Sequence, residues 1–426
     1  MADKKTLIYC TNGYPSDVFS EKVFVDGELT ALRRHFDRII LLPDADAGRR
    51  LGFADTLPEG VEVDWSLTRD RRTHSRLVKP FYLFHPYVAR AMLDVTREAR
   101  TPGQWIKGMM QAASTITIGR VIKRLLKRNG LRRDDTLLYS IWFLNSADAA
   151  ARLALTGGWT AATRGHTSDI YDNPWHFRSD AVRDRLLHGL KRVISISDYG
   201  RDYLKRKFPE HAVRFVSVHL GSTRRYEPGG YRTCDGSETP LELVTVARID
   251  ACKRLPLIIE VLEAVARRRP DRRLRWTLIG DGDSTRDRAE LLARSVAVKV
   301  RNLEVSFAGL KTNDAIQRGF RDNPPQWHML MSSTEGIPVS MGEAMSYGIP
   351  CVTTDVGQTT ELADHENSII FPVDVDVEKC ADTLAWRLFD TELQERMSAA
   401  ALDSWQRTFD AGALASETAG ILASLI

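Results

Sequence analysis

Short apolar runs recur along the chain, separated by stretches in which apolar residues return every three or four positions. In the first half the runs are TLIYC (6–10), RIILLP (38–43), TLLYSIW (136–142), TAATRGH (160–166) and RVISIS (192–197). Runs this short and this uniformly apolar predict strands buried on both faces, and their alternation with helical segments predicts βα units in a mostly parallel sheet. Residues 226–240, YEPGGYRTCDGSETP, carry Pro, Gly, Ser and Thr without apolar period and so predict an interdomain linker. The pattern then resumes with LELVTVA (241–247), WTLIG (276–280), LEVSFAG (303–309), HMLMS (328–332), PCVTT (350–354) and SIIFP (368–372). Leu257, Ile258, Val261, Leu262 and Val265 share a helical face between the first two of these, as a right-handed crossover requires. From about 381 onward the chain reads as helices. The expected fold class is α/β, with two doubly wound, Rossmann-like domains facing a ligand cleft at the carboxyl ends of their strands.

Residues 69–135 interrupt this regularity with a helical, cation-rich insertion. Within it Ile118, Val121, Ile122, Leu125 and Leu126 share one face, and Arg120, Lys123, Arg124, Lys127 and Arg128 gather on the other. The plain reading is a surface helix with a solvated face; the sharper one is contact with an anionic membrane surface or a lipid diphosphate. The charge balance of the whole chain limits such readings. Lys plus Arg total 60 against 56 for Asp plus Glu in 426 residues, a net charge of +4, which argues against a nucleic-acid partner. Five scattered cysteines without a CxxC pair indicate neither a disulfide framework nor a zinc ribbon, and a reducing, cytoplasmic setting is expected. No signal peptide or apolar stretch of about 18 residues is evident.

The densest chemistry lies in EGIPVSMGEAMSYGIPCVTTDVG, from Glu335 to Gly357. Ser340-x-x-Glu343 has the spacing of a helix capping box, which accounts for Glu343 by itself and leaves Glu335 unexplained. Glu335 precedes Gly336, Ile337, Pro338 and Val339 in a loop at a strand's carboxyl end, a position suited to a polyhydroxylated, anionic ligand. In VARIDACKR, Arg248 and Lys253 follow the first strand of the second domain, where two cations can stabilise charge growing on a departing diphosphate.

In these motifs the sequence resembles retaining glycosyltransferases of the GT-B fold, specifically the family 4 group that includes enzymes of capsular and exopolysaccharide synthesis. The likeness covers nearly the whole chain and is strongest in the E-x7-E pair Glu335 and Glu343. It implies a nucleotide diphosphate sugar donor, with Glu335 on the sugar hydroxyls, Glu343 on the ribose hydroxyls, Arg248 and Lys253 on the diphosphate, and the backbone of Gly336 to Val339 along the donor. TRGHTSDIY resembles the family's strand followed by a catalytic His, so His166 is expected beside the donor sugar. YSIW (139–142) and SISDYGRDYL (195–204) follow the order of polysaccharide-type members, with Ile141 where the family often has a second aromatic. The loop TNGYPSDVFSEKVF implies a donor contact for Gly13, although a strand-to-helix turn also explains a glycine. The resemblance further implies domains at 1–225, on the acceptor side, and 241–403, on the nucleotide-sugar side, with helix 404–426 packing back on the first. Three D-x-D strings, Asp44 to Asp46, Asp281 to Asp283 and Asp374 to Asp376, read as solvated loops rather than metal anchors. No metal-ligand spacing, P-loop or dinucleotide fingerprint occurs, so no metal or cofactor is expected.

The expected activity is therefore metal-independent sugar transfer with retention to a hydroxyl of a glycan or lipid-linked acceptor, in the cytoplasm or peripherally on the cytoplasmic face of the membrane. The rival readings are a non-catalytic nucleotide-sugar-binding scaffold and a nucleotide-sugar epimerase or hydrolase. A PLP-dependent phosphorylase shares the expected fold, but nothing like its long additional segments is seen.

Overall fold

The computed structural model describes residues 4–15, 21–44, 57–74, 82, 84–172, 177–234, 239–282 and 284–426. The chain divides into two compact units, one of residues 1–219 with 412–426 and one of residues 220–411. In the first, strands β1 (Thr6–Thr11), β2 (Arg38–Pro43), β3 (Val61–Val63), β4 (Thr136–Ser140), β5 (Thr160–Gly165), β6 (Arg192–Ser195) and β7 (Phe215–Ser217) form a parallel sheet of order β3-β2-β1-β4-β5-β6-β7. Alternate strand residues bury on opposite faces. Ile8, Ile40, Leu138, Ala161 and Val193 enter one core with Ile118, Val121, Ile122, Leu125 and Leu126. Leu7, Tyr9, Ile39, Leu41, Leu137, Tyr139, Ala162 and Ile194 enter the other, with Ala415, Ala419 and Leu422 of the helix Ala411–Ala423. Each buried Leu, Ile or Val among them contributes about 1.5–3 kcal/mol of burial energy.

The second unit repeats the design with β8 (Leu241–Val246), β9 (Leu274–Ile279), β10 (Leu303–Gly309), β11 (Trp327–Leu330), β12 (Cys351–Thr354) and β13 (Ser368–Phe371), again parallel, in the order β10-β9-β8-β11-β12-β13. The helix Leu255–Arg268 is the expected crossover, and Ile258, Val261, Leu262 and Val265 are all buried. In both sheets the strand order reverses beside the first strand, at β1/β4 and at β8/β11, which opens a crevice at the carboxyl ends of the strands there.

Two boundaries differ from expectation. Residues 226–234 of the expected linker do not run free: Tyr226 Oη donates to Asp314 Oδ1 at 2.6 Å, Tyr231 Oη to the Gln326 carbonyl at 3.2 Å, and Gln326 Nε2 to the Arg232 carbonyl at 3.0 Å. These bonds attach the segment to the second unit. Residues 404–411 also stay there, because Trp405 Nε1 donates to Ser222 Oγ at 2.9 Å and the Ser222 amide to the Phe409 carbonyl at 3.0 Å. The chain rejoins the first unit only from Gly412.

The insertion forms helices Ser66–His74, Pro86–Glu98 and Pro102–Arg128. Its basic face near 118–128 is partly tied down: Arg120 lies 4.6 Å over the Tyr82 ring, Arg124 is 3.8 Å from Asp70, and Arg128 pairs with Asp64. Among the described residues no helix is long and apolar enough to cross a membrane.

Candidate functional site

In the second unit, loops after β8, β9, β11 and β12 are drawn together by backbone contacts. The Ile249 amide donates to the Asp281 carbonyl at 3.0 Å and the Ser333 amide to the Cys252 carbonyl at 2.8 Å. Two glycines permit this. A Cβ on Gly280 (φ +147°) would stand 1.9 Å from the Ala247 carbonyl oxygen, and one on Gly357 (φ +56°) 1.9 Å from that of Glu335. Arg254, at φ +46°, fastens the bundle by donating to the carbonyls of Met331, Val373 and Ser332 at 2.7, 2.7 and 2.9 Å.

This frame brings Lys253 and Glu335 into direct contact. Lys253 Nζ donates to Glu335 Oε1, which also accepts from Ser332 Oγ at 2.6 Å, and both side chains are largely shielded. Arg248 stands outside the pair, with 70% of its side chain exposed and one bond to Asp250 Oδ2 at 2.7 Å. The amides of Gly336 and Ile337 donate to no group among the described residues, so two N–H donors remain open beside a carboxylate and a cation. Pro338 caps the helix Val339–Met345 and supplies no side-chain bond. Ser340 thus lies inside the helix, and the capping-box explanation of Glu343 does not hold. The Glu343 carboxylate turns instead to Asn313 Nδ2, at 2.5 Å, while Asn313 Oδ1 accepts from Arg225 Nε at 3.1 Å. Burial pushes the Glu343 carboxyl up to about 7, against the opposing pull of the Asn313 bond and the Arg225 charge.

In the first unit, β5 ends at Gly165 and places His166 at its carboxyl end. The ring is buried, lies 4.1 Å from the Trp142 ring, and has no hydrogen-bond partner on either nitrogen among the described residues. Burial, aided by the nearby Arg164 charge, pushes His166 down to about 3, so its imidazole is neutral at pH 7. Its backbone amide donates to Asp169 Oδ1 at 2.5 Å, and Asp169 Oδ2 accepts from the Phe143 amide at 2.8 Å. Trp142 is held from below by Glu21, which accepts its indole N–H together with the amides of Asn12, Gly13 and Tyr14 at 2.9, 2.6 and 2.8 Å. The Gly13 amide is therefore already engaged. Trp142 also lines a cavity of about 170 Å3, with Cys10, Thr11, Asp44, Ser140 and Ser146.

Sequence reasoning missed Glu21, Trp142, Arg254, Asn313 and Gly357 as parts of these arrangements. Gly357 closed the most informative window, and Trp142, Glu21 and Arg254 stood in the quoted YSIW, TNGYPSDVFSEKVF and VARIDACKR, where nothing marked them out; Asn313 lies outside every quoted motif. Of the D-x-D strings, Asp46 and Asp283 lie outside the described residues. Asp281 pairs with Arg288, and Asp376 caps the helix Val377–Arg387.

Residues 240–390 match the family model described as Glycosyl transferases group 1. No curated protein matches the chain in sequence. Solved structures match along almost its whole length: HepE of Anabaena in complex with UDP (16% identity, 99% of this chain and 100% of that one, TM-score 0.63), a glycosyltransferase of Rickettsia africae (12%, 99% and 99%, 0.66) and sucrose-phosphate synthase of Thermosynechococcus elongatus (13%, 99% and 99%, 0.68). The chain has the two-sheet α/β fold of GT-B glycosyltransferases. With the group 1 match over its second unit, that fold supports a glycosyltransferase.

Proposed function

We propose that this protein is a retaining, metal-independent glycosyltransferase of the family 4 type, transferring a sugar from a nucleotide diphosphate donor to a hydroxyl of a glycan or lipid-linked acceptor in surface polysaccharide synthesis. The observation that carries the reading is the Lys253–Glu335 contact beside the open amides of Gly336 and Ile337. Sugar hydroxyls donate to the Glu335 carboxylate, and the diphosphate takes Lys253 as its counter-ion in exchange. Arg248, free to swing from its exposed position, adds a second cation as the leaving group gains charge. The known likeness of HepE, solved with UDP and with UDP-glucose, favours a uridine donor.

His166 fits a place beside the transferred sugar because it is neutral. An imidazolium would repel the oxocarbenium-like centre, whereas a neutral ring offers one donor and one acceptor without that penalty. No side-chain nucleophile is assigned; the leaving diphosphate assists deprotonation of the acceptor hydroxyl on the same face.

Thermal unfolding in EDTA with UDP, GDP and ADP sugars tests the donor assignment. A bound donor at about 100 times Kd adds ~2.7 kcal/mol to stability. Selective stabilisation by one nucleotide supports the reading and names the base. No response to any of them favours a scaffold role, and product formed from donor alone at full rate favours an epimerase or hydrolase. Retention is read from the anomeric coupling of the product.

A further inference from the structure

The helices Pro86–Glu98 and Pro102–Arg128 form a hairpin in the first unit that is apolar on its outside as well as its inside. Inside, Val88, Ala91, Met109, Ala112, Ala113 and Ile116 make a small core, and Gly108 lets the helices close up, since a Cβ there would meet the Val95 methyls at 2.7 Å. Outside, Leu93, Trp105, Ile106 and Met110 are 58, 36, 53 and 51% exposed. They form one patch. Trp105 Nε1 donates to Thr96 Oγ1 at 3.0 Å, one turn from Leu93, and Ile106 and Met110 follow on the same helix at i and i+4.

The charged side chains around the patch that make no ion pair or hydrogen bond among the described residues are basic. Arg90 and Arg97 share the Leu93 face of their helix, and Arg100 follows in the turn; none of the three forms an ion pair among the described residues. The acidic residues nearby are already engaged, Asp94 with Arg185 and Glu98 with the amides of Asp180 and Ala181 at 2.7 and 2.9 Å. Four exposed side chains offer on the order of 400 Å2 of apolar surface, about half of what each partner contributes to a stable protein interface. An indole fixed at the boundary between an apolar patch and free arginines matches the chemistry of a bilayer interface carrying negative headgroups.

We propose that the outer face of this hairpin docks on an anionic lipid bilayer. The contact lies at the start of the long helix, away from the basic stretch 118–128, three of whose cations are held by the protein. Resting on the transferase reading above, the same docking presents a membrane-borne acceptor to the first unit. A cavity of about 710 Å3 is lined by Arg97, Arg100 and Gln104, which neighbour the patch in sequence, and by Ser168 and Asp169, two and three residues after His166.

Vesicle co-sedimentation tests the docking with the full chain and no donor. At about 0.15 M salt, the protein should pellet with phosphatidylcholine–phosphatidylglycerol vesicles and stay soluble with phosphatidylcholine alone. Ile106→Asp with Met110→Asp should cut the bound fraction about tenfold, and Arg90→Gln with Arg97→Gln and Arg100→Gln should do the same. Both variants should keep the wild-type melting temperature, while Arg124→Gln with Lys127→Gln should still pellet. No pelleting of the wild type, or loss only in the Arg124/Lys127 variant, overturns the proposal. So does a wild-type dimer that becomes a monomer in the Ile106/Met110 variant, since the face is then covered by a second copy. A protein that pellets but ignores every nucleotide keeps this proposal and loses the donor reading; the reverse result separates them the other way.

Discussion

Glu343 is the residue whose environment makes the sharpest demand. Its carboxyl, pushed up from the ordinary value of 4.5 to about 7, keeps a proton in the folded state that the unfolded chain has already released. Its contribution to stability therefore falls as pH rises from about 4.5 to 7, and Glu343→Gln should flatten that part of the stability profile. Ribose hydroxyls donating to Glu343 favour the anion, so nucleotide binding should release a proton. Affinity should drop as pH is lowered below about 7, and titration calorimetry in buffers of different ionisation enthalpy measures the proton count. A pH-independent affinity between 6 and 8, or one unchanged in the Gln variant, removes Glu343 from the ribose. For the transfer itself, Glu335→Ala and His166→Ala should each lower turnover by about two orders of magnitude or more with the fold intact by circular dichroism. Near-wild-type rates in either variant contradict its assignment.

At the level of elements, eleven expected strands are present with ends shifted by at most two residues, because uniformly apolar runs buried on both faces announce themselves. The two strands not foreseen, β3 and β7, are three residues each and only partly buried, too short for a pattern to repeat. The site divides in the same way. The positions of Lys253, Glu335 and His166 at strand ends were legible, and so was the nearness of the Lys253 and Glu335 loops, because such loops concentrate unusual residues into short motifs. Asn313 reaches Glu343 from 30 positions away and Glu21 reaches Trp142 from 121 away, and contacts across such separations exist only once the chain has folded. The glycine frame belongs to this scale too. Gly280→Ala places a Cβ against the Ala247 carbonyl at the base of the Arg248 loop, so it should destabilise the second unit by roughly 1–3 kcal/mol and weaken nucleotide binding more than a surface substitution does. Denaturant titration with and without nucleotide checks both effects. A variant as stable and as tight as wild type means that the two loops move apart at no cost.

Across the whole molecule, the unequal division of the chain between the units governs stability. Ala415, Ala419 and Leu422 fill the same core as Leu7, Tyr9 and Leu29, and Lys5 Nζ donates to the carbonyls of Ala423 and Ile426 at 3.2 and 2.7 Å. Truncation after Ala411 should therefore destabilise the first unit by roughly 3–5 kcal/mol, as large core deletions do, and leave the second unit's nucleotide response in place. Calorimetry of the truncated chain reads this directly, and an unchanged first-unit transition shows that the returning helix is dispensable.

The same closure by Gly412–Ile426 sets an order of events at the ribosome. The second unit is one uninterrupted segment, so every residue it needs has been synthesised before the last helix emerges. The first unit begins translation earlier yet must wait, its sheet laid down but one core lacking Ala415, Ala419 and Leu422, until residues 412–426 have been made. Domains along a nascent chain commonly mature in the order in which they are made; here the later-made unit is the first to have all its residues, and the earlier one is completed after it.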